Sequence, residues 1–394
     1  MHFKDDKERL KYNNEGFKLK NDYFSFKNNK MGCLYESCTG KAVNSHSISK
    51  KSSLISICEN NEVLACKSIR NKEELTFDFK RVGINEATTF KGFCGEHEKL
   101  FEKLDKEKIG DLKDLLLQVY RCIGFACYNE GIMRALEKQQ KERLKNYYNI
   151  DKLENRNSDL QKFLNETIEQ ASANKVSGFH RLRKVMAKYM ELVNSLSDLD
   201  NRKIADIDRF ENESINHIIR FKRVREQIPV ALLNNFSYFY GERNCDIFFI
   251  AIPYENCTDI IMVIERDPGI NCEEYWEYST ESDIRTLNLV ETIMMMSEFW
   301  FIKPSVINSM SKERQEIIKN DIWFASERKH FEPYDMSIFD EVRKKLISEC
   351  DDRTISMELD KINNIPYREN LEFRKEKMHK EMNRQYTQIM AKGR

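Results

Sequence analysis

Two short motifs in the first hundred residues combine side chains that bind metal ions. Cys33 and Cys38 form a C-x4-C motif flanked by glycines, and Cys94 and His97 form a C-x2-H motif where a helix is expected to begin. Three thiols and an imidazole are ligands for tetrahedral Zn²⁺, and a turn that enters a helix aims residues i and i+3 in the same direction. The spacing predicts a structural zinc site. The alternative is a set of unrelated buried thiols.

A histidine lies between the two motifs. His46 follows Cys38 by eight residues and ends the segment KAVNSH, whose alternation predicts a short strand. Histidine titrates near neutral pH and can therefore act as a general base. A single histidine is also typical of a hydrogen-bonded surface or core position. The order of the parts favours the catalytic interpretation: a cysteine pair, a strand ending in Ser-His, a long connection, and a second ligand pair that opens a helix.

In this order, residues 28–105 resemble the HNH, or ββα-metal, nuclease superfamily in its zinc-knuckle form. The resemblance implies that the four motif residues hold zinc and that His46 is the general base. It also implies that Glu98, directly after the second pair, binds a catalytic Mg²⁺ or Mn²⁺ ion. The asparagine of the family matches Asn85 best, with Asn60 or Asn61 as alternatives. The whole arrangement also resembles proteins encoded in bacterial defence loci.

The sequence departs from the family pattern in three places. His97 replaces a second cysteine in the second zinc pair, which is chemically acceptable. Glu98 stands where histidine is commoner, although a carboxylate suits Mg²⁺ better. The connection between His46 and Cys94 is longer than in minimal family members.

Composition limits the partners and the cellular location that can be expected for this protein. The 394 residues include 65 Lys+Arg and 65 Asp+Glu, so the formal net charge is zero. The overall charge therefore gives no sign of a nucleic-acid or membrane partner, and any binding face depends on local charge. The charged N-terminus lacks the apolar core of a signal peptide, and no segment supplies the ~20 apolar residues that a bilayer requires. With eleven cysteines and no secretory signal, a disulfide framework is not expected. We expect a cytoplasmic protein without a membrane partner.

The distribution of proline and hydrophobic residues predicts an α+β protein in four parts. Residues 1–27 form a basic segment, and residues 28–105 form a small zinc-stabilised, treble-clef-like ββα domain. Residues 106–227 lack proline and carry apolar residues at three- and four-residue steps, including Leu160, Phe163, Leu164 and Ile168. This pattern predicts a long helical hairpin or coiled coil with a turn near residues 172–180. Its helices either pack on the rest of the chain or pair with a second copy.

Residues 228–394 are predicted to form an α+β domain. Three apolar, β-branched or aromatic runs between residues 228 and 265 predict a short antiparallel sheet. Helical periodicity returns over Leu287–Phe301, Lys312–Phe324 and Met336–Ile347.

Together these features predict a metal-dependent endonuclease that hydrolyses nucleic-acid phosphodiester bonds, with a role in bacterial anti-phage defence. We expect nucleic acid as its partner, DNA before RNA, with a homodimer through the helical region and a regulatory protein as further partners. The alternative is an inactive zinc-binding module that acts as a nucleic-acid or protein-binding adaptor. A third interpretation, a helical interaction protein with incidental cysteines, predicts no bound zinc. The sequence contains no GxxxxGK[ST] or GxSxG motif.

Overall fold

A computed structural model describes residues 31–71, 74–147, 178–197, 200–240, 243–266, 273–327 and 332–378, with a few isolated positions outside these ranges. The chain is a mixed α+β protein, as predicted, built on an antiparallel sheet. Of the predicted basic segment 1–27, the structure describes only residues 7, 11 and 14–18, and the rest of this prediction lies outside the described residues. None of the helices in the described ranges has the length and apolar character that crossing a bilayer requires.

Ten strands are defined within the described ranges. Eight of them form one antiparallel sheet in the order β3-β2-β10-β7-β8-β9-β6-β5, and β1 and β4 form a separate two-stranded sheet. The strands are β1 Asn44–His46, β2 Glu62–Asn71, β3 Glu74–Gly83, β4 Thr89–Lys91, β5 Arg209–Glu211, β6 His217–Val224, β7 Val230–Tyr240, β8 Arg243–Tyr254, β9 Cys257–Glu265 and β10 Trp300–Ile302.

The helices of the described ranges cover both faces of the large sheet. The α-helices are Ile55–Ile57, Gly95–Glu98, Leu112–Tyr147, residues 178–195, Glu273–Thr280, Asp283–Met294, Pro304–Asn308, Lys312–Trp323, Asp340–Ile347, Asp352–Asn363 and residues 371–378. Leu112–Tyr147 is called the long helix below, and Gly95–Glu98 the site helix.

The large sheet is buried on both faces because its central strands are apolar at successive positions. On β8, Ile247 and Phe249 join a core with the C-terminal helices, whereas Phe248 and Ile250 face a second core. This second core contains the long helix, residues 178–195, and the segment around β1 and β4. A strand with apolar residues on both sides is expected wherever helices cover both faces of a sheet. The two candidate metal-binding motifs therefore pack on the same core as the sheet.

The antiparallel strands predicted between residues 228 and 265 are present as β7, β8 and β9, but they belong to a much larger sheet. The predicted helix Leu287–Phe301 is wrong at its end. The helix stops at Met294, and Trp300–Ile302 form strand β10 between β2 and β7. An apolar run gives no periodic signal that separates a buried helix from a buried strand. Here the indole Nε1–H of Trp300 donates to the carbonyl oxygen of Met294, 3.1 Å away, which closes the turn between them.

The predicted middle region, residues 106–227, contains the long helix and the helix over residues 178–195, and also strands β5 and β6. Leu160, Phe163, Leu164 and Ile168 lie outside the described residues, as does most of the predicted turn, so the coiled coil stays a prediction. Strands β2 and β3 lie within the predicted zinc domain, and β2 pairs with β10 of the C-terminal segment. The boundaries at 105 and 227 likewise stay predictions.

Candidate metal centre and its neighbouring histidine

The four motif residues meet at one point. The ligand atoms of Cys33, Cys38, Cys94 and His97 all lie within 4.8 Å of one another. Nδ1 of His97 lies 3.4 Å from Sγ of Cys33 and 3.2 Å from Sγ of Cys94, and the Sγ atoms of Cys38 and Cys94 are 3.9 Å apart. Metal–ligand bonds of zinc to sulfur and nitrogen, arranged tetrahedrally, require ligand separations of about 3.5–3.8 Å. This Cys₃His cluster could therefore bind a metal ion such as zinc.

The first cysteine pair is positioned by a tight turn. The main-chain N–H of Cys33 donates to the carbonyl oxygen of Gly40, and Ser37 adopts a positive φ of 59° between them. Gly40 lies against the cluster, because a Cβ atom at this position would come 3.1 Å from Cβ of Cys94 and 3.3 Å from Sγ of Cys38. The close approach of the backbone to the Cys38 sulfur thus favours glycine at this position, because a larger residue would push the neighbouring side chains away by a few tenths of an ångström.

The second pair is positioned by the site helix. Cys94 is its N-cap residue and His97 lies in its single turn, so both side chains face the first pair. The Tyr35 ring stacks on the imidazole of His97 with centroids 3.8 Å apart and planes 8° from parallel, which holds the ring in its ligating orientation. Partner groups of this kind orient metal ligands in many proteins.

Main-chain N–H groups point at the sulfur atoms. The N–H of Gly40 donates to Sγ of Cys38 and that of Cys94 donates to Sγ of Cys33, both at 3.3 Å. Without a metal, burial raises the pKa of the Cys33 thiol to about 11, whereas the hydrogen bond from the main chain of His97 lowers the pKa of Cys94. Such donors stabilise thiolates, the form that a metal ion binds.

His46 lies at the end of β1, opposite Thr89 of β4. Its Nδ1 atom donates to the carbonyl oxygen of Ala87 at 3.0 Å and lies 3.4 and 3.3 Å from the hydroxyl oxygens of Thr88 and Thr89. Because Nδ1 carries the proton, Nε2 of the neutral ring is left with a free lone pair. Burial, with a smaller contribution from the charge of Arg121, lowers the pKa of His46 below its usual 6.5.

Glu98 belongs to a small charged cluster. Its carboxylate lies 3.9 Å from Nη2 of Arg121, whose Nη1 donates to Asp105 at 2.9 Å. The side chain of Arg121 is only 1% exposed and packs over the Phe101 ring. Burial raises the pKa of Glu98, and Arg121 acts in the opposite direction. Oε1 of Glu98 is buried and has no hydrogen-bond partner within the described part of the chain.

Asn85 lies in the turn between β3 and β4. Its Oδ1 atom accepts a hydrogen bond from Nζ of Lys50 at 2.7 Å, and its main-chain carbonyl accepts one from the Thr89 hydroxyl at 2.9 Å. That hydroxyl lies beside His46, so Asn85 is linked to His46 through Thr89. The alternative residues Asn60 and Asn61 occupy a turn before β2 with positive φ angles of 54° and 62°.

Sequence reasoning missed Arg121 and Asp105. Arg121 is a charged residue inside the apolar segment LLLQVYRCIGFAC of the long helix, which is a usable signal for a buried ion pair. Asp105 stands in a charged loop segment and carries no comparable signal. No protein-family model matches the chain, and no match was found among curated proteins or solved structures.

Proposed function

We propose that this protein is a metal-dependent endonuclease of the HNH type, in which a zinc-stabilised ββα unit presents His46 as general base. The observation that carries the proposal is the position of His46 at the end of β1. Its Nδ1 atom is anchored on the Ala87 carbonyl, and its other nitrogen is free to accept a proton. The antiparallel pairing of β1 with β4 and the site helix that follows β4 support the ββα interpretation, with β2 and β3 inserted between the two strands.

The zinc ion would hold this unit together and take no part in the chemistry. The two-stranded sheet and the single-turn helix are too small to be stable alone, and a structural metal contributes folding free energy to such units. The cluster connects the turn before β1 to the site helix after β4. A bound zinc ion would therefore fix the position of Glu98, on the site helix, relative to His46, at the end of β1.

His46 would remove a proton from the water that attacks the phosphodiester. The lowered pKa of His46 keeps its ring neutral at pH 7, as a base requires. The Ala87 carbonyl orients the ring and stabilises the imidazolium that forms, because it continues to accept from Nδ1. Two lysines near His46 offer positive charge for phosphate contacts. They are Lys50, whose ammonium donates a hydrogen bond to Asn85, and the exposed Lys51.

Glu98 and Asp105 are the groups that would hold a divalent ion. Oε1 of Glu98 is a buried carboxylate oxygen without a partner in the described ranges, and both carboxylates face Arg121. Carboxylate oxygens are the ligands that Mg²⁺ and Mn²⁺ prefer. When bound there, the ion would supply positive charge for the scissile phosphate and the leaving oxygen.

The test is cleavage of supercoiled plasmid and of single-stranded DNA and RNA by purified protein with Mg²⁺ or Mn²⁺. Wild type, His46→Ala and Glu98→Gln are compared with His180→Ala, which changes an exposed histidine on residues 178–195. We expect a loss of ~10²–10⁴-fold for His46→Ala, the usual contribution of a general base. We expect a comparable loss for Glu98→Gln and none for His180→Ala, with zinc content unchanged in all four. Equal cleavage by His46→Ala and wild type would refute the assignment.

A second function is favoured by one observation. Arg121 already neutralises part of the negative charge of Glu98 and Asp105 from inside the protein. A zinc-stabilised module that binds nucleic acid or protein, without catalysis, needs neither a divalent ion at Glu98 nor a free base at His46. Bound zinc with no cleavage of any substrate would favour this module. Purified wild-type protein that binds no zinc would exclude both functions.

A further inference from the structure

A cavity of about 250 Å³ opens beside His46, between the β1–β4 pair, the long helix and one face of the large sheet. Thr88 and Thr89 line it, and the hydroxyl oxygens of these two residues lie 3.4 and 3.3 Å from Nδ1 of His46. Two threonines that contact His46 therefore also line the cavity. It is distinct from the Cys₃His cluster, none of whose residues lines it.

Aromatic rings form much of the cavity wall. Phe125 of the long helix meets Phe299 edge to face, with centroids 5.5 Å apart, and Phe301 of β10 also lines the cavity. Phe299 is 40% exposed, so part of its ring is accessible to solvent where it lines the cavity. Aromatic side chains at the mouth of a cavity offer faces on which a planar ring can stack.

A few polar groups converge on this apolar wall. Nζ of Lys67 lies 5.6 Å from the centroid of the Phe301 ring, and the charge of Glu298 acts on the Lys67 ammonium without a direct ion pair in the described ranges. Asn129 of the long helix lines the same cavity, and its amide makes no hydrogen bond with any residue that the structure describes. An amide supplies both a donor and an acceptor, and an ammonium supplies donors only. The cavity thus combines stacking surfaces with unused hydrogen-bonding groups.

Its size limits the ligand. A volume of about 250 Å³ is below the roughly 300–1,000 Å³ of pockets for drug-sized molecules. One planar ring system with hydrogen-bonding edges suits these dimensions and this lining.

We propose that the cavity receives one unstacked base of the nucleic-acid substrate, stacked on Phe299 and hydrogen-bonded by Asn129 and Lys67. This inference rests on the proposed endonuclease function and adds a specificity determinant to it. A base held here would fix the register of the strand relative to His46. Enzymes that act on nucleic acids read unstacked bases through aromatic stacking and edge hydrogen bonds. Single-stranded or locally opened DNA is then the preferred substrate.

The test uses single-stranded DNA oligonucleotides that carry the fluorescent base 2-aminopurine at successive positions, bound to the cleavage-silent His46→Ala protein. End-label anisotropy reports total binding, and 2-aminopurine emission reports the environment of one base. Phe299→Ala and Lys67→Met are added to this background, with Phe373→Ala as the control, since Phe373 is a 53% exposed phenylalanine outside the cavity.

We expect an emission change at one position of the oligonucleotide. Phe299→Ala should lose that change and weaken binding by about 5- to 150-fold, the range for one base–aromatic stack. Lys67→Met should weaken binding without abolishing the emission change, and Phe373→Ala should do neither. Binding with no position-specific change, or with equal affinity in Phe299→Ala, would overturn the pocket while leaving the endonuclease intact. A position-specific change without cleavage by wild type would overturn the endonuclease alone. No binding by any variant would overturn the pocket.

Discussion

Nδ1 of His46 donates a hydrogen bond to the main-chain carbonyl oxygen of Ala87, 3.0 Å away, across the β1–β4 pair. A carbonyl oxygen can only accept, so the bond selects one tautomer of the neutral ring and turns its basic nitrogen away from the strand. The residues that make the bond are 41 positions apart in sequence. Their meeting depends on the pairing of Ser45 with Phe90 and His46 with Thr89.

The protonation of His46 should appear in the pH dependence of cleavage. Burial and the charge of Arg121 lower the pKa of His46, and a base must be unprotonated to act. Activity should therefore rise with pH, reach half of its plateau below pH 6.5, and be lost as the ring becomes protonated. The single-turnover rate of plasmid nicking against pH measures this midpoint. A midpoint above 6.5 would contradict the assignment of His46.

Arg121 should be important for folding as well as for the charge around Glu98. In Arg121→Gln, the half-buried carboxylates of Glu98 and Asp105 lose their cationic neighbour inside the protein. We expect a loss of about 3 kcal/mol in the free energy of unfolding, the low end of the range for breaking a buried ion pair. Chemical denaturation measures it.

The control for Arg121 is Arg225→Gln, which removes an 81% exposed guanidinium with two surface ion pairs. We expect a change below about 1 kcal/mol for this variant, because exposed pairs contribute little. Similar losses for the two variants would show that the Arg121 cluster is not a buried electrostatic unit.

The Cys₃His cluster should bind one metal ion per chain, and Cys38→Ser should release it. The free energy of unfolding should fall by on the order of 4 kcal/mol or more, as is typical when a structural metal is lost. Metal content by mass spectrometry and thermal unfolding measure the two effects. Cys58→Ser is the matched control, because Cys58 is a half-buried free cysteine outside the cluster. Purified wild-type protein without stoichiometric metal would count against the cluster.

Gly40 should control how closely the two ligand pairs can approach. In Gly40→Ala, the new methyl group meets Cβ of Cys94 at 3.1 Å and Sγ of Cys38 at 3.3 Å, so the turn must shift. We expect metal affinity to fall by about 10- to 100-fold, the usual effect of disturbing groups around the ligands. Competition with a chromophoric chelator measures the affinity. At Gly83 nothing lies within 4 Å of an added Cβ, so Gly83→Ala should bind metal as wild type does.

The Cys₃His cluster illustrates what local spacing can predict. Cys33 and Cys38 lie on one turn, and Cys94 and His97 lie on another, so the relative position of the residues within each pair follows from short-range backbone geometry. The cysteines and the histidine also carry their chemistry in their residue type. The two pairs meet because β1 pairs with β4. Of this pairing, the sequence predicted only the short strand that ends at His46.

Other features carried no local signal. The apolar run after Leu287 divides into a helix and strand β10 because β2 and β7 supply hydrogen-bond partners for Trp300–Ile302. The cavity beside His46 combines Lys67, Phe125 and Phe299, which come from three distant segments.

The sequence by itself determined the α+β class, the antiparallel strands after residue 228 and the four candidate metal ligands, because these depend on residue type and on contacts between near neighbours. Only the tertiary structure decided that β2 and β3 join the large sheet, that Arg121 and Asp105 meet Glu98, and that a cavity opens beside His46. Contacts between distant segments form where their surfaces fit together and bury apolar area. This fit depends on many residues that are far apart in sequence, so no short segment of the sequence reveals it.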